Sequence, residues 1–259
     1  MRRRERAIPW EALDPSALSK SQRAIVGGDW LARMKQEHLA VGAFSMLAIE
    51  LAKIGADSIV LSLIARAASD EVRHADICKR FAQIWLGEDA VPARLRGLPR
   101  IPPHAGVPER ERSLLHVVEM CCVNETFTGA FFSKMLETTT DPTARATVES
   151  LLEDEIDHGR VGWAYLASAA RRKWGLAAVS NALPALLERT VANVIVPRAK
   201  RKPTERDDPA LEAFAYLGPR AASRVYRETL AEVILPGFET LGVDVTSART
   251  LARSRGWSS

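Results

Sequence analysis

Two five-residue stretches, DEVRH from Asp70 to His74 and DEIDH from Asp154 to His158, decide how this chain is read. Each places a glutamate three residues before a histidine and an aspartate directly before the glutamate. On an α-helix, positions i and i+3 are neighbours on one face, so Glu71 and His74 point the same way, as do Glu155 and His158. One Glu-x-x-His pair is weak evidence, because both side chains can simply be solvated. Two copies invite a test by position: whether lone glutamates elsewhere lie level with both pairs.

The surrounding pattern is helical. From Trp30 to Ile54, the residues Leu31, Met34, Val41, Phe44, Leu47, Ala48 and Leu51 follow a helical period, with spacings of three or four, Leu47 and Ala48 side by side, and one step of seven across His38. Gly55 suits a helix stop, and Asp57 can cap a second helix that runs to about Trp85. Residues 87–108 are rich in Pro and Gly and lack periodicity, which marks a long crossover. Pro108 suits the first turn of a third helix reaching about Glu137. Asp141 and Pro142 form an N-cap and first-turn pair for a fourth helix ending near Lys173.

The expectation is an all-α fold: a four-helix bundle with one long crossover over residues 29–173. An N-terminal arm, 1–28, precedes it. A C-terminal extension, 174–259, follows, with three or four shorter helices stopped or kinked at Pro184, Pro209, Pro219 and Pro236 and packed on the bundle.

Axial rise then ranks the glutamates. Measured from Gly55, Glu37 lies roughly 27 Å along the first helix and Glu71 roughly 24 Å along the second, so the two are nearly level. Glu50, roughly 8 Å from the same turn, cannot join that layer. Measured from Asp141, Glu125 lies at roughly 24 Å and Glu155 at roughly 21 Å, whereas Glu137 sits too near the turn. Each hairpin therefore brings one lone glutamate level with one Glu-x-x-His.

Glu125 lies in the largely apolar VVEMCCVNETFTGAFF, and Glu37 precedes HLAVGAFSMLAIEL. A carboxylate in such a segment is costly unless paired or metal-bound, and four in one layer repel without cations between them. Four Glu and two His offer hard oxygens and borderline nitrogens that suit two iron or manganese ions. Salt bridges without metal are the plainer alternative.

Bulk composition narrows the class. Of the 259 residues, 47% are hydrophobic and only 6% aromatic, which favours helix and allows a sizeable core. The formal charge of +4 is concentrated locally, in Arg2 to Arg6 and in PRAKRKPTER from Pro197 to Arg206. Such runs read as solvated tails or loops, or as contacts for an acidic partner. Three cysteines, two of them adjacent, make no disulfide framework. The arginines at the start are not followed by an apolar leader, and no apolar run approaches spanning length. The reading is a reduced, cytoplasmic, soluble protein without a membrane partner.

On these residues the chain resembles the ferritin-like superfamily of di-iron carboxylate proteins over about Trp30 to Lys173, which implies a ferritin-like four-helix bundle. The resemblance assigns Glu37, Glu71, His74, Glu125, Glu155 and His158 as metal ligands. DEVRH looks like the Asp-Glu-x-Arg-His element of acyl-carrier-protein desaturases and related bacterial ferritin-like oxidases. There the aspartate orients a ligand histidine on the opposing hairpin, which implies Asp70 for His158 and Asp154 for His74. A carboxylate in that place fixes the imidazole tautomer. Asp157 stands where Arg73 stands in the first copy, and a cross-site Arg73–Asp157 ion pair is expected.

Thr128, one turn beyond Glu125, matches a threonine that relatives use near bound dioxygen, although a helical threonine often bonds its own backbone. Arylamine N-oxygenases of the superfamily carry a further histidine where this chain has Leu151, so the ligand set does not support N-oxygenation. Cys78 and Cys121 each lie four residues from a ligand and read as apolar packing. Phe44, Phe81, Phe132 and Tyr165 fall on or near the ligand faces, as core or pocket lining.

The implied function is an oxidoreductase: a non-haem di-iron oxygenase, with Mn/Fe as a variant, that uses O2 to hydroxylate, desaturate or otherwise oxidise a small organic substrate. An external electron donor is implied, and a homodimer is left open. The alternatives are a ferroxidase or iron-handling protein, and a tRNA-modifying di-iron hydroxylase. Nucleic acid is the weaker partner, because the basic runs lack interleaved aromatics for stacking bases.

Overall fold

The computed structural model describes residues 7–190 and 208–257, and every described element is helical. The basic runs at Arg2 to Arg6 and Pro197 to Arg206 lie outside the described residues.

Helix α1 spans Lys20–Lys53, starting earlier than the apolar periodicity suggests. Its start is set by a capping box: Ser19 Oγ accepts from Gln22 N, and Gln22 Oε1 accepts from Ser19 N at 3.0 Å. Part of the expected N-terminal arm is therefore helix. Gly55, at φ +67°, makes the left-handed turn that ends the first limb. Helix α2, Ser58–Leu86, returns antiparallel to α1, with Asp57 Oδ1 accepting from Ile59 N at 2.8 Å as its cap.

After the crossover, the third limb is helical from Glu109 to Thr138 but not uniformly so. It comprises α3 (Glu109–Val117), a π segment (Val118–Glu125) and α4 (Thr126–Thr138). Helix α5, Pro142–Arg171, is capped by Asp141, whose Oδ1 accepts from Ala144 N at 2.8 Å. It packs along the π segment and α4 on one side and α2 on another, while α1 meets α3. Two long hairpins thus face each other across a shared interior.

The C-terminal region adds α6 (Leu176–Thr190), α7 (Pro209–Glu212), α8 (Pro219–Thr229), a second π segment (Leu230–Ile234), α9 (Leu235–Thr240) and α10 (Thr246–Ser254). Pro209 and Pro219 occupy first turns, where a missing N–H costs nothing, while Pro236 follows the second π segment within a helical run from Pro219 to Thr240, and Pro184 lies inside α6. These helices join the main core through Leu183, Leu187, Tyr226, Ile234 and Phe238. Trp30 on α1 ties to them by donating from Nε1 to Ala215 O at 2.9 Å. Among the described residues, no helix is long and apolar enough to cross a membrane.

Candidate metal centre

Six side chains meet in the interior between the hairpins. One donor atom from each of Glu37, Glu71, His74 and Glu155 lies within 4.8 Å of the others, and so do donors from Glu71, Glu125, Glu155 and His158. All six residues are buried, and Glu71 and Glu155, common to both groups, are each only 1% exposed. The structure therefore gathers every residue assigned as a ligand, one lone glutamate and one Glu-x-x-His from each hairpin.

The two shared glutamates reach both imidazoles. Glu71 places Oε1 3.2 Å from His158 Nδ1 and Oε2 3.4 Å from His74 Nδ1. Glu155 places Oε1 3.2 Å from His74 Nδ1 and Oε2 3.6 Å from His158 Nδ1. Yet both Nδ1 atoms, both Glu155 oxygens and Glu71 Oε2 are buried without a properly directed hydrogen bond. Two donors each about 2.1 Å from one ion, at a right angle, stand about 3 Å apart, so this spacing suits atoms sharing a cation. Buried polar atoms left without partners are costly, and a cation between them removes the cost. The donor set fits two transition-metal ions.

The outer nitrogens are also held. His74 Nε2 lies 3.3 Å from Asp154 Oδ2, and His158 Nε2 lies 3.4 Å from Asp70 Oδ2. Each aspartate thus faces the histidine of the other hairpin, and a proton kept on Nε2 leaves Nδ1 as the lone-pair nitrogen.

The expected Arg73–Asp157 pair is not formed. Arg73 reaches Asp154 in a very close contact and donates from Nη1 to Ser150 Oγ at 2.9 Å. Asp157 instead lies 3.5 Å from Arg66 Nη2 and 3.3 Å from Arg160 Nη1. Arg66 also reaches Asp70 at 3.4 Å and Asp154 at 3.6 Å. The helix face decides this: Arg73 shares its level with the buried Asp154, and Asp157 lies one turn further out beside Arg66. Sequence reading missed Arg66 and Ser150, although Arg66 stands four residues before Asp70, the ordinary spacing of a helical ion pair.

Without metal, the electrostatics are those of crowded acids. Burial first, and then the charges of Glu71 and Glu155, push the Glu37 carboxyl well above the usual range. Burial and Glu155 do the same to Glu125. Glu155 falls well below its ordinary range because, against burial, the adjacent Glu125 carboxyl and the two histidines favour its charged form. His74 and His158 are raised: burial opposes this, but Asp154 or Asp70 and the shared glutamates outweigh it.

Glu125 closes the π segment, whose wider turn was not foreseen. Gly162 on α5 makes room for it, since a Cβ there would meet Cys121 Cβ at 2.4 Å. Helix α6 holds the other side of the segment. Arg189 binds Glu119 through Nε at 3.0 Å and Nη2 at 3.1 Å, and Thr190 Oγ1 lies 3.2 Å from Asn124 Oδ1.

Thr128 donates to Asn124 O at 3.1 Å, so its hydroxyl is engaged with its own helix. Cys78 and Cys121 are free, fully buried thiols that burial pushes upward, in keeping with packing. Phe44 lies 5.2 Å from the His158 ring, whereas Phe81 packs on Trp30 and Phe132 lies beneath Arg33. Leu151 is core. No protein-family model matches the chain, nor does any curated protein or solved structure.

Proposed function

We propose that this chain is a ferritin-like, non-haem di-metal oxidoreductase that binds two iron ions, with Mn/Fe as a variant, and uses dioxygen to oxidise a small organic substrate. The observation that carries the proposal is the pair of four-residue donor groups sharing Glu71 and Glu155. The order of two hairpins joined by a long crossover is also that of ferritin-like bundles, in which a Glu from each of two helices and a Glu-x-x-His from each of the others project inward.

Glu37 with His74 and Glu125 with His158 would serve one ion each, and Glu71 and Glu155 both. Bound iron would supply the reduction of dioxygen and the oxidising power directed at the substrate. The chain's own part is positional. Asp154 and Asp70 hold the Nε2 protons, so that Nδ1 of each histidine faces inward. Phe44, fully buried against His158, keeps water from that side. The buried thiols Cys78 and Cys121, being protonated, leave the ligand set to oxygen and nitrogen. Six acids surround the site, the four donor glutamates and, behind the histidines, Asp70 and Asp154, so it favours cations over neutral ligands.

The test begins with the metal alone. Anaerobic loading with ferrous iron, followed by elemental analysis, is expected to give two ions per chain; one or none refutes the centre. Oxygen uptake by the loaded, chemically reduced protein should then rise when an oxidisable organic compound is added. Ferrous oxidation indifferent to every organic addition would instead identify an iron-handling protein.

A further inference from the structure

A cavity of about 210 Å³ opens at the end of the hairpins away from the metal cluster. It lies between the α1–α2 turn, the first turns of α2, the last turns of α5 and the start of α3. Ile54, Val60, Leu63 and Val161 give it an apolar floor. Arg110, Arg172, Tyr165 and Ser168 stand at its rim, with Trp174 as one wall. Val161 and Tyr165 follow His158 along one face of α5, but the fully buried Phe44, Leu47 and Cys121 fill the space toward the metals. The cavity is therefore separate from the metal centre.

Its polar groups are donors without acceptors. Among the described residues, neither Arg110 nor Arg172 has a carboxylate partner. Arg110 instead lies 4.0 Å over the Trp174 ring, which occupies its face and leaves the edge of its fork open. Burial pushes the Tyr165 hydroxyl upward, and the charges of Arg110 and Arg172, which line the same cavity, act against it. The hydroxyls of Tyr165 and Ser168 have no hydrogen-bond partner among the described residues. Asp57 is the one carboxylate in the lining, and its Oδ1 is committed to Ile59 N. Nearby Glu109 is taken by Lys53 and Arg112.

We propose that this cavity binds a small monocarboxylate with an apolar body, an arylalkanoic or short fatty acid. The carboxylate accepts from Arg110, Arg172 and Tyr165 at the rim, and the body lies on the apolar floor. A volume below the roughly 300–1,000 Å³ of drug-sized pockets limits the ligand to a fragment. A phosphate would find the two cations but not repay the burial of the floor. This inference rests on the cavity alone and stands or falls apart from the metal reading.

The experiment uses the metal-free full chain, titrated calorimetrically with 4-phenylbutyrate and with its neutral amide. One saturable site is expected, with the acid bound about tenfold more tightly than the amide. Arg172→Gln and Arg110→Gln should each bring the acid close to the amide while leaving the amide unchanged. Leu63→Trp, which fills the floor, should abolish both, with circular dichroism showing the helices intact. Equal binding of acid and amide, acid binding that survives both arginine substitutions, or no saturable binding at millimolar ligand would each overturn the proposal.

Discussion

The two halves of the candidate centre carry the same donors and are held by different means. On the His74 side, Glu37 comes from the unbroken α1, and His74 is oriented by Asp154, a buried carboxylate that also takes Arg73 and Arg66. On the His158 side, Asp70 is more open, with 19% of its side chain exposed, and Arg66 is the cation beside it. There the lone glutamate, Glu125, ends a π segment that α6 clamps through Glu119 and Asn124. One half is fixed by charge reaching across the hairpins, the other by the backbone and a third helix. Like donors can thus be placed by unlike supports, and the supports should fail differently.

The largest difference to be expected lies between shared and unshared glutamates. Glu155→Ala removes a donor from both groups and should drop the metal content of the ferrous-loaded chain from two ions toward none. Glu37→Ala and Glu125→Ala should each leave one, because the opposite group of four stays whole. Elemental analysis of the folded variants decides it. Two ions retained by Glu155→Ala would end the picture of a bridged pair.

Much of this was legible in the chain. The caps Asp57 and Asp141 and the helical stop at Gly55 act where the residue types indicate, and rise per residue sets Glu37 level with Glu71 and Glu125 level with Glu155. Apolar periodicity understated α1, because its first turns carry Gly27, Gly28 and Asp29 rather than a regular stripe, with Gly27 set close against Trp85 and Leu86 at the end of α2. The π segment was illegible for a different reason. A π turn widens one loop of a helix that stays buried on most sides, so the hydrophobic pattern does not betray it. Arg73 meets Asp154 rather than Asp157 because equivalent positions in two repeated motifs need not be neighbours in space.

A pH series separates the halves from their common burial. In the metal-free chain, Glu37 and Glu125 are raised above an ordinary value of 4.5, and His74 and His158 above 6.5. From pH 4.5 upward the unfolded chain therefore releases carboxyl protons that the folded chain keeps. The stabilisation from the imidazolium groups is complete below 6.5 and is lost as the pH rises through their folded values. All four shifts have one sign, so metal-free stability should fall with rising pH, by about 1.4 kcal/mol per unit for each proton. Glu155, held low, adds stability above 4.5 that is lost only in stronger acid. Thermal midpoints of chelated and loaded protein at pH 5.5 and 8.5 should diverge, since metal replaces those protons. Glu37→Ala and Glu125→Ala should flatten the chelated curve equally, because burial is the leading cause in both.

The aspartates test the charge-held half. Asp154→Asn removes the shared partner of His74, Arg73 and Arg66, and should weaken one ion by about 10–100-fold. Asp154 is held below its ordinary range, against burial, by His74 and Arg73, which shows how firmly that network prefers the charged form. Asp70→Asn, at the more open position, should fall at the weaker end of the same range. Equal losses in competitive metal titrations would mean that burial of the aspartate does not matter.

The smallest effect concerns the backbone-held half and two glycines one turn apart on α5. At Gly162 an added Cβ would meet Cys121 Cβ at 2.4 Å and the backbone of Cys121 and Cys122 at 3.0 Å, so α5 or the π segment must move. At Gly159 the nearest atom, Cys121 O, is 3.8 Å away, an ordinary contact. Gly162→Ala should therefore cost about 1–3 kcal/mol, as overpacking does. Gly159→Ala should be neutral or gain up to about 1 kcal/mol from helix propensity. If the π segment is what sets Glu125, Gly162→Ala will also loosen the ion at Glu125 and His158 while sparing the one at Glu37 and His74. A stability loss that spreads evenly over both ions would show instead that the segment supports the interior as a whole, and that the two halves are held alike.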